Sequence, residues 1–388
     1  METSIRNWIR CHREELITLA EEIWKHPEVA FTEKTALKLQ KELLEKWGFT
    51  VEEAVYGLET SYKVEFGSGA PVFAIAAEYD ALPELGHGCG HNLIAASSVA
   101  AFGALANYMK ENSLSGKLIL LGTPGEESYG GKVKMLENGC LDGVDASMML
   151  HPSMRTIQDP GSTGIRRFTV EYKGHAAHAS SSPEFGKNSL DAVMMLFNGI
   201  NAWRQQMTDS ARIHGVVLKG GTVPNIIPDY ASCRFFLRSN DEAYLDYMEK
   251  RFRDMVKGSE LMTETEAVIT PFRTPYQSRK PNGPMNERFY SYAAELGMNP
   301  IKASPKAGRG SSDFGNFSRA VPGLHPYFEI SKENICGHSP EFLEASDSPL
   351  GKENMLKGAE IMANIALDFL RDDSFRQEVR KDFEESGL

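Results

Sequence analysis

Residues 70–109 read APVFAIAAEYDALPELGHGCGHNLIAASSVAAFGALANYM. The first part, APVFAIAAEYD (70–80), is a compact apolar run closed by an acid, the pattern of a buried strand. The last part, LIAASSVAAFGALANYM (93–109), is rich in alanine and serine. It is short of the ~20 strongly apolar residues that span a bilayer, so it reads as a buried helix. Between them GHGCGHNL (86–93) sets two histidines about a cysteine among glycines. Strand, Cys/His loop and buried helix make the first unit of a parallel sheet covered by helices. The loop by itself leaves three readings open: metal ligands, a nucleophile with its base, or a plain turn.

The same alternation extends outward. Leu16, Leu19, Ile23 and Trp24 recur at helical spacing near the start, and a second helix runs from about Glu33 to Trp47 and stops at Gly48. KLILLGTPGEES (117–128) is a buried-type strand ending in a Gly/Pro turn, followed by a helix around 133–138. VDASMMLHPS (144–153) reads as one more short strand. From residue 166 the order changes to βαββαβ, beginning with RRFTVEYKG and ending with TETEAVITPFRTPY. That is the split-βαβ order of a ferredoxin-like domain, whose ends lie close enough for insertion into another domain. Helix MNERFYSYAAELG, strand LHPYFEI and a long amphipathic helix from ENMLKGAEI onward then resume the first pattern. The expected fold is therefore α/β, a mostly parallel sheet with helices on both faces. It is built from 1–165 and 282–388, with an inserted ferredoxin-like α+β domain at 166–281.

The chain's 388 residues suit two domains. A content of 41% hydrophobic and 24% charged residues is that of a globular protein. The net charge of −11 argues against a nucleic-acid backbone as partner, since such proteins need a basic face. No stretch calls for a membrane. The five cysteines, Cys11, Cys89, Cys140, Cys233 and Cys336, are scattered and odd in number. With a charged N-terminal segment that lacks a secretory pattern, they point to a reducing, cytoplasmic setting.

Ligands of an open parallel sheet lie beyond the carboxyl ends of its strands. Asp80 ends the first run, and Cys89 and His91 follow in the loop. Glu126 and Glu127 follow the second run, His151 ends the third, and His338 comes after LHPYFEI. Thiolate, imidazole and carboxylate together suit zinc or another first-row divalent ion. Taken singly, His151 reads as a turn histidine and the glutamates as a solvated pair. Their shared sheet edge favours a metal site. Side chains alternate along an extended segment, so one glutamate can bind metal while its neighbour moves a proton. The residues alone do not say which does which.

GHGCGHNL, GTPGEES, MMLHPS, GHAAHASSSPEFGKNSLDA, GTVPNIIPD, GRGSSDFGN and GLHPYFEI occur in this order. Together they resemble the di-metal aminoacylase and carboxypeptidase-G superfamily of metallopeptidases, over about residues 10–375. Within its amidohydrolase branch the chain is most similar to the p-aminobenzoyl-glutamate hydrolase and β-alanyl-lysine dipeptidase group. The resemblance implies Cys89, His91, Glu127, His151 and His338 as ligands of two divalent metal ions, with Cys89 in a bridging place. Zinc is favoured by the cysteine and histidines, and manganese is the alternative. Glu126 is implied as the general base. Asp80 falls where relatives carry an acid behind the site, while Glu78 stands where a ligand histidine is usual. His178 matches a histidine that reaches across a dimer into the partner's active site. Asn225 matches a substrate-contacting asparagine, and Gly310, Ser311 and Ser312 match a loop near the substrate carboxylate. Asn92 departs from the aspartate of auxin-type relatives, and Gly125 replaces the usual alanine.

The expected activity is metal-dependent hydrolysis of an amide bond in a dipeptide or N-acyl amino acid. The insert would serve as lid and as homodimer interface. Three alternatives stay open: a pathway-specific amidase for an unusual N-acyl amino acid, a non-catalytic accessory protein retaining the fold, and a thiol hydrolase with Cys89 as nucleophile.

Overall fold

The computed structural model describes residues 1–127, 129–304 and 310–386. Its described residues form two compact units. One comprises 1–161, 279–304 and 313–386, the other 162–278 with 310–312.

In the first unit, six strands lie in the order Glu52–Glu53, Tyr62–Ser68, Gly116–Gly122, Val72–Ala77, Ala146–Met148, Gly323–Leu324. The first two pairings are antiparallel and the remaining three parallel. Alternation along the inner strands divides two cores. Phe73, Ile75, Leu118 and Leu120 join one cluster, and Ala74, Ala76, Ile119 and Leu121 join the other. A strand buried on both faces has to be apolar at consecutive positions, which is why these runs show no polar alternation. The larger cluster takes residues from helices Thr3–Cys11, Arg13–Lys25, Lys34–Lys46, His91–Asn112 and Pro349–Arg371. The smaller takes Met135 of helix Gly131–Glu137 and Phe314 and Phe317 of Phe314–Ala320. Helices thus cover both faces.

Helix His91–Asn112 is buried along nearly its whole length, as its composition predicts. Gly103 lets it approach its neighbours. A Cβ there would lie 2.5 Å from Trp8 and 2.9 Å from Trp47.

The expected single strand over 144–153 is two. Ala146–Met148 belongs to the main sheet, and His151–Ser153 pairs in parallel with Tyr327–Glu329 in a separate two-stranded sheet. The expected strand LHPYFEI is broken in the same way, into Gly323–Leu324 and Tyr327–Glu329. Pro326 has no N–H for a ladder, and the His325 N–H donates instead to Asp159 Oδ2 at 2.9 Å. Asp159 also pairs with buried Arg279, whose Nη2 donates to the Tyr327 hydroxyl at 3.0 Å.

The second unit is a four-stranded antiparallel sheet in the order Glu266–Pro271, Gly164–Lys173, Tyr230–Ser239, Arg212–Lys219. Helices Ser189–Trp203 and Glu242–Thr263 pack on one face over Val170, Tyr172, Cys233 and Phe235. Asn188 and Asp241 cap these helices by accepting from backbone N–H groups in the first turn. The order βαββαβ is ferredoxin-like. Among the described residues no helix is long and apolar enough to cross a membrane.

Asn92 explains one departure from related sequences. It is buried, and its Nδ2 donates to Ala20 O at 3.3 Å and Ser346 O at 3.1 Å. An aspartate has no donor for either carbonyl. Asn92→Asp is expected to lower unfolding free energy by about 3 kcal/mol, through an unpaired buried charge facing two carbonyl oxygens. Urea denaturation at neutral pH measures it, and a variant as stable as the parent would reject this role for the amide.

Candidate metal centre

Separate chain segments bring the donors together. Cys89 precedes helix His91–Asn112, whose first residue is His91 and whose N-cap, Gly90, has φ +76. Ligand atoms of Cys89, His91 and His151 lie within 4.8 Å of one another, as do those of Cys89, Glu127 and His338, and those of His91, Glu126 and Glu127. The three groups overlap, so the five expected ligands and Glu126 form one cluster. Cys89 Sγ is 3.5 Å from His151 Nε2, and His338 Nε2 is 3.5 Å from Glu127 Oε1. His338 is exposed, held at φ +59 with its N–H on Gly88 O.

The histidines are set up to coordinate. His151 Nδ1 donates to Pro152 O at 2.7 Å, and His91 Nδ1 donates to Asp80 Oδ1 at 3.1 Å. In this tautomer each Nε2 carries a lone pair, the form a metal takes. His91 Nε2 and Glu127 Oε1 are buried with no hydrogen-bond partner. Buried polar atoms are nearly always satisfied, so these two, beside a thiol and a second imidazole, fit a cation.

Asp80 lies behind the cluster. Its second oxygen accepts the Glu127 N–H at 2.9 Å, so one carboxylate holds both His91 and the glutamate turn. The glutamate pair lies in a turn and not on an extended segment, which corrects the alternation argument. Gly125 makes the turn with φ +70, and a Cβ there would lie 2.6 Å from the Phe31 ring. The turn leaves the two carboxylates side by side, with an oxygen of each within 4.8 Å of the other.

Electrostatics within the cluster are adverse without a cation. Burial, then Glu127 and Glu78, drive the Glu126 carboxyl well above the usual range. Burial also raises Glu127, and with Glu127 it raises the Cys89 thiol. A thiol pushed in that direction is a poorer nucleophile, which weighs against the thiol-hydrolase alternative. Burial opposes a charge on His91, yet Cys89, Glu78 and Asp80 raise it well above its ordinary value. His151 is lowered to about 4 by burial and by His91.

Sequence reasoning missed two charged residues here. Lys132 is fully buried between Glu78 and Asp313. A lysine in GGKVKML and an aspartate in SSDFG look like surface residues, and no sequence signal marks them.

The remaining candidates lie in the second unit. His178 is exposed, and its Nδ1 accepts from Ser180 N and Ser181 N at 3.3 Å, which leaves Nε2–H as a donor. Asn225 precedes Ile226, which forms an antiparallel bridge with His178, and Asn225 O accepts the Ala179 N–H at 3.0 Å. Gly310 O accepts from Thr163 N at 2.9 Å, and Ser311 Oγ accepts from Arg238 Nη1 at 2.9 Å. Ser312 adjoins them in the same unit. Arg309, in the same motif, lies outside the described residues.

Comparison with known proteins gives consistent matches. Residues 74–368 match peptidase family M20/M25/M40. The Xaa-Arg dipeptidase of Mus musculus is 34% identical, over 95% of this chain and 89% of the relative. A component of the p-aminobenzoyl-glutamate hydrolase of Escherichia coli (strain K12) is 30% identical, over 74% of this chain and 64% of the relative. A crystal structure from Bacillus subtilis, described as a dinuclear metal binding peptidase from the M20 family, superposes with a TM-score of 0.74. It shares 23% identity and covers 94% of this chain and 99% of its own.

Coordination requires Cys89 as thiolate, His91 neutral and Glu127 ionised, whereas the metal-free cluster shifts all three toward their protonated forms. Divalent ions titrated into metal-free protein should therefore release protons, and apparent affinity should rise with pH. Calorimetry in two buffers of different ionisation enthalpy reads the proton count. Uptake without proton release would contradict this electrostatic account.

Proposed function

The chain belongs to peptidase family M20/M25/M40 and is a hydrolytic enzyme for amide or peptide bonds, and from that premise we propose a two-metal dipeptidase or N-acyl amino acid amidohydrolase. The observation that carries the metal reading is the overlap of the donor groups on Cys89, His91 and Glu127. Cys89, Glu127 and His338 would hold one ion, and Cys89, His91 and His151 the other. The mixed sulfur, nitrogen and oxygen set favours zinc, with manganese the alternative. Divalent ions supply a water of lowered pKa and a polarised carbonyl.

The chain's own residues do the rest. Glu126 takes the proton of the attacking water and passes it to the leaving nitrogen. Its raised carboxyl is brought down by the cations beside it, which reverse the local charge balance. Asp80 keeps His91 in its coordinating tautomer. The partner subunit's His178, through Nε2–H, donates to the carbonyl oxygen as charge develops there. Asn225 and the backbone of Gly310, Ser311 and Ser312 contact the substrate.

A homodimer through the insert is part of the reading. Arg212–Lys219 is the outer strand of its sheet, with Val216 58% and Val217 50% exposed. An exposed apolar edge strand invites pairing with a second copy.

Glu126→Gln should keep its metal content by elemental analysis and lose turnover by about 10²-fold or more. Dipeptide and acyl-amino acid hydrolysis measure it, and activity within a few-fold of the parent would reject the general-base role. Val217→Asp should convert a dimer to monomer in sedimentation velocity, and an unchanged sedimentation coefficient would remove this edge from the interface.

A further inference from the structure

Lys132 is a buried cation that has no part in the proposed reaction. Lys132 lies in the first turn of Gly131–Glu137, just after the glutamate turn, and is fully buried. Its Nζ is 2.5 Å from Glu78 Oε1 and 2.8 Å from Asp313 Oδ1. Its backbone N–H also donates to Asp313 Oδ2, at 2.9 Å. A buried ammonium persists only with close anions, and both carboxylates meet that need.

Glu78 divides its two oxygens. Oε1 belongs to Lys132. Oε2 is buried without a hydrogen-bond partner and lies 3.4 Å from His91 Nε2, which is likewise without one. Lys132 thus decides which carboxylate oxygen faces the coordinating edge of His91.

We infer that Lys132 is a positioning residue of the hydrolytic centre, holding Glu78 so that one oxygen stands at the Nε2 edge of His91. This rests on the two-metal reading above. The oxygen adds negative charge beside the cation that His91 receives. Without the ammonium, Glu78 and Asp313 lose the partner they share, and the hold that keeps the Glu78 oxygen at His91 is gone. A purely structural ion pair would matter for folding alone.

The test uses full-length protein stripped of metal. Zinc affinity is read by competition with a chromogenic chelator, beside the melting temperature of the metal-free form and kcat and KM of the reloaded enzyme. Lys132→Met and Glu78→Gln should each weaken zinc binding by about 10–100-fold, the range for groups that orient a ligand. In both, kcat should fall while KM stays near the parent value. Because the two act as one unit, the double variant should lose no more than the worse single. Zinc affinity within twofold of the parent, with only a lowered melting temperature, would overturn the inference. If Lys132→Met does not fold, Glu78→Gln decides on the same criterion, since it leaves Lys132 paired with Asp313. A parent protein that binds no divalent ion would sink the hydrolase reading itself, an outcome distinct from unaffected variants.

Discussion

The Asp80 carboxylate joins the parts of the centre that come from different strands. One oxygen takes the His91 N–H and the other takes the Glu127 N–H. The end of the first buried strand thereby holds a helix N-terminus and a turn from the next strand. Burial works against a charge on Asp80, but its bonds to His91 and to the Glu127 backbone, with Lys132 nearby, keep the carboxyl below its ordinary value. A neutral side chain at that position could not fix the imidazole tautomer and the turn together. Because the acid closes a strand buried on both faces, its own position is set by the sheet, which gives the cluster a rigid base.

The sheet, the buried helix and the insert were legible because each rests on hydrophobic periodicity. Val72–Ala77 and Gly116–Gly122 are continuous apolar runs since both faces are covered, and the insert's strands alternate since one face is. The breaks at residues 149–150 and 325–326 were not legible, because membership of one sheet or another depends on the partner strand. The glutamate pair shows a second limit. An extended reading separated its side chains by pleat, whereas the turn at Gly125 keeps an oxygen of each within 4.8 Å of the other. Lys132 shows a third. Its burial depends on Glu78 and Asp313, which are 54 and 181 residues away in sequence.

Charge explains why such a cluster tolerates so many acids. Glu78, Asp80, Glu126, Glu127 and Asp313 stand close together with Lys132 as the fixed cation among them. In water-poor surroundings neighbouring carboxylates push one another toward the protonated form, as the raised values of Glu126 and Asp313 reflect. Adding divalent charge reverses that direction. On the two-metal reading, the centre is thus arranged for the loaded state.

Hydrogen bonds at Nδ1 set His91 and His151 apart from His178. His91 gives its Nδ1 proton to Asp80, and His151 gives its own to the carbonyl of Pro152, so both present a lone pair at Nε2. His178 does the opposite. Its Nδ1 accepts from the N–H groups of Ser180 and Ser181, so Nε2 keeps its proton. A histidine read from sequence carries none of this, since the tautomer is set by whether an oxygen or an N–H lies at Nδ1. On the proposed reading, the same side chain serves cation binding at two positions and stabilisation of a developing oxyanion at the third. That division of labour follows from local hydrogen bonding before any substrate arrives.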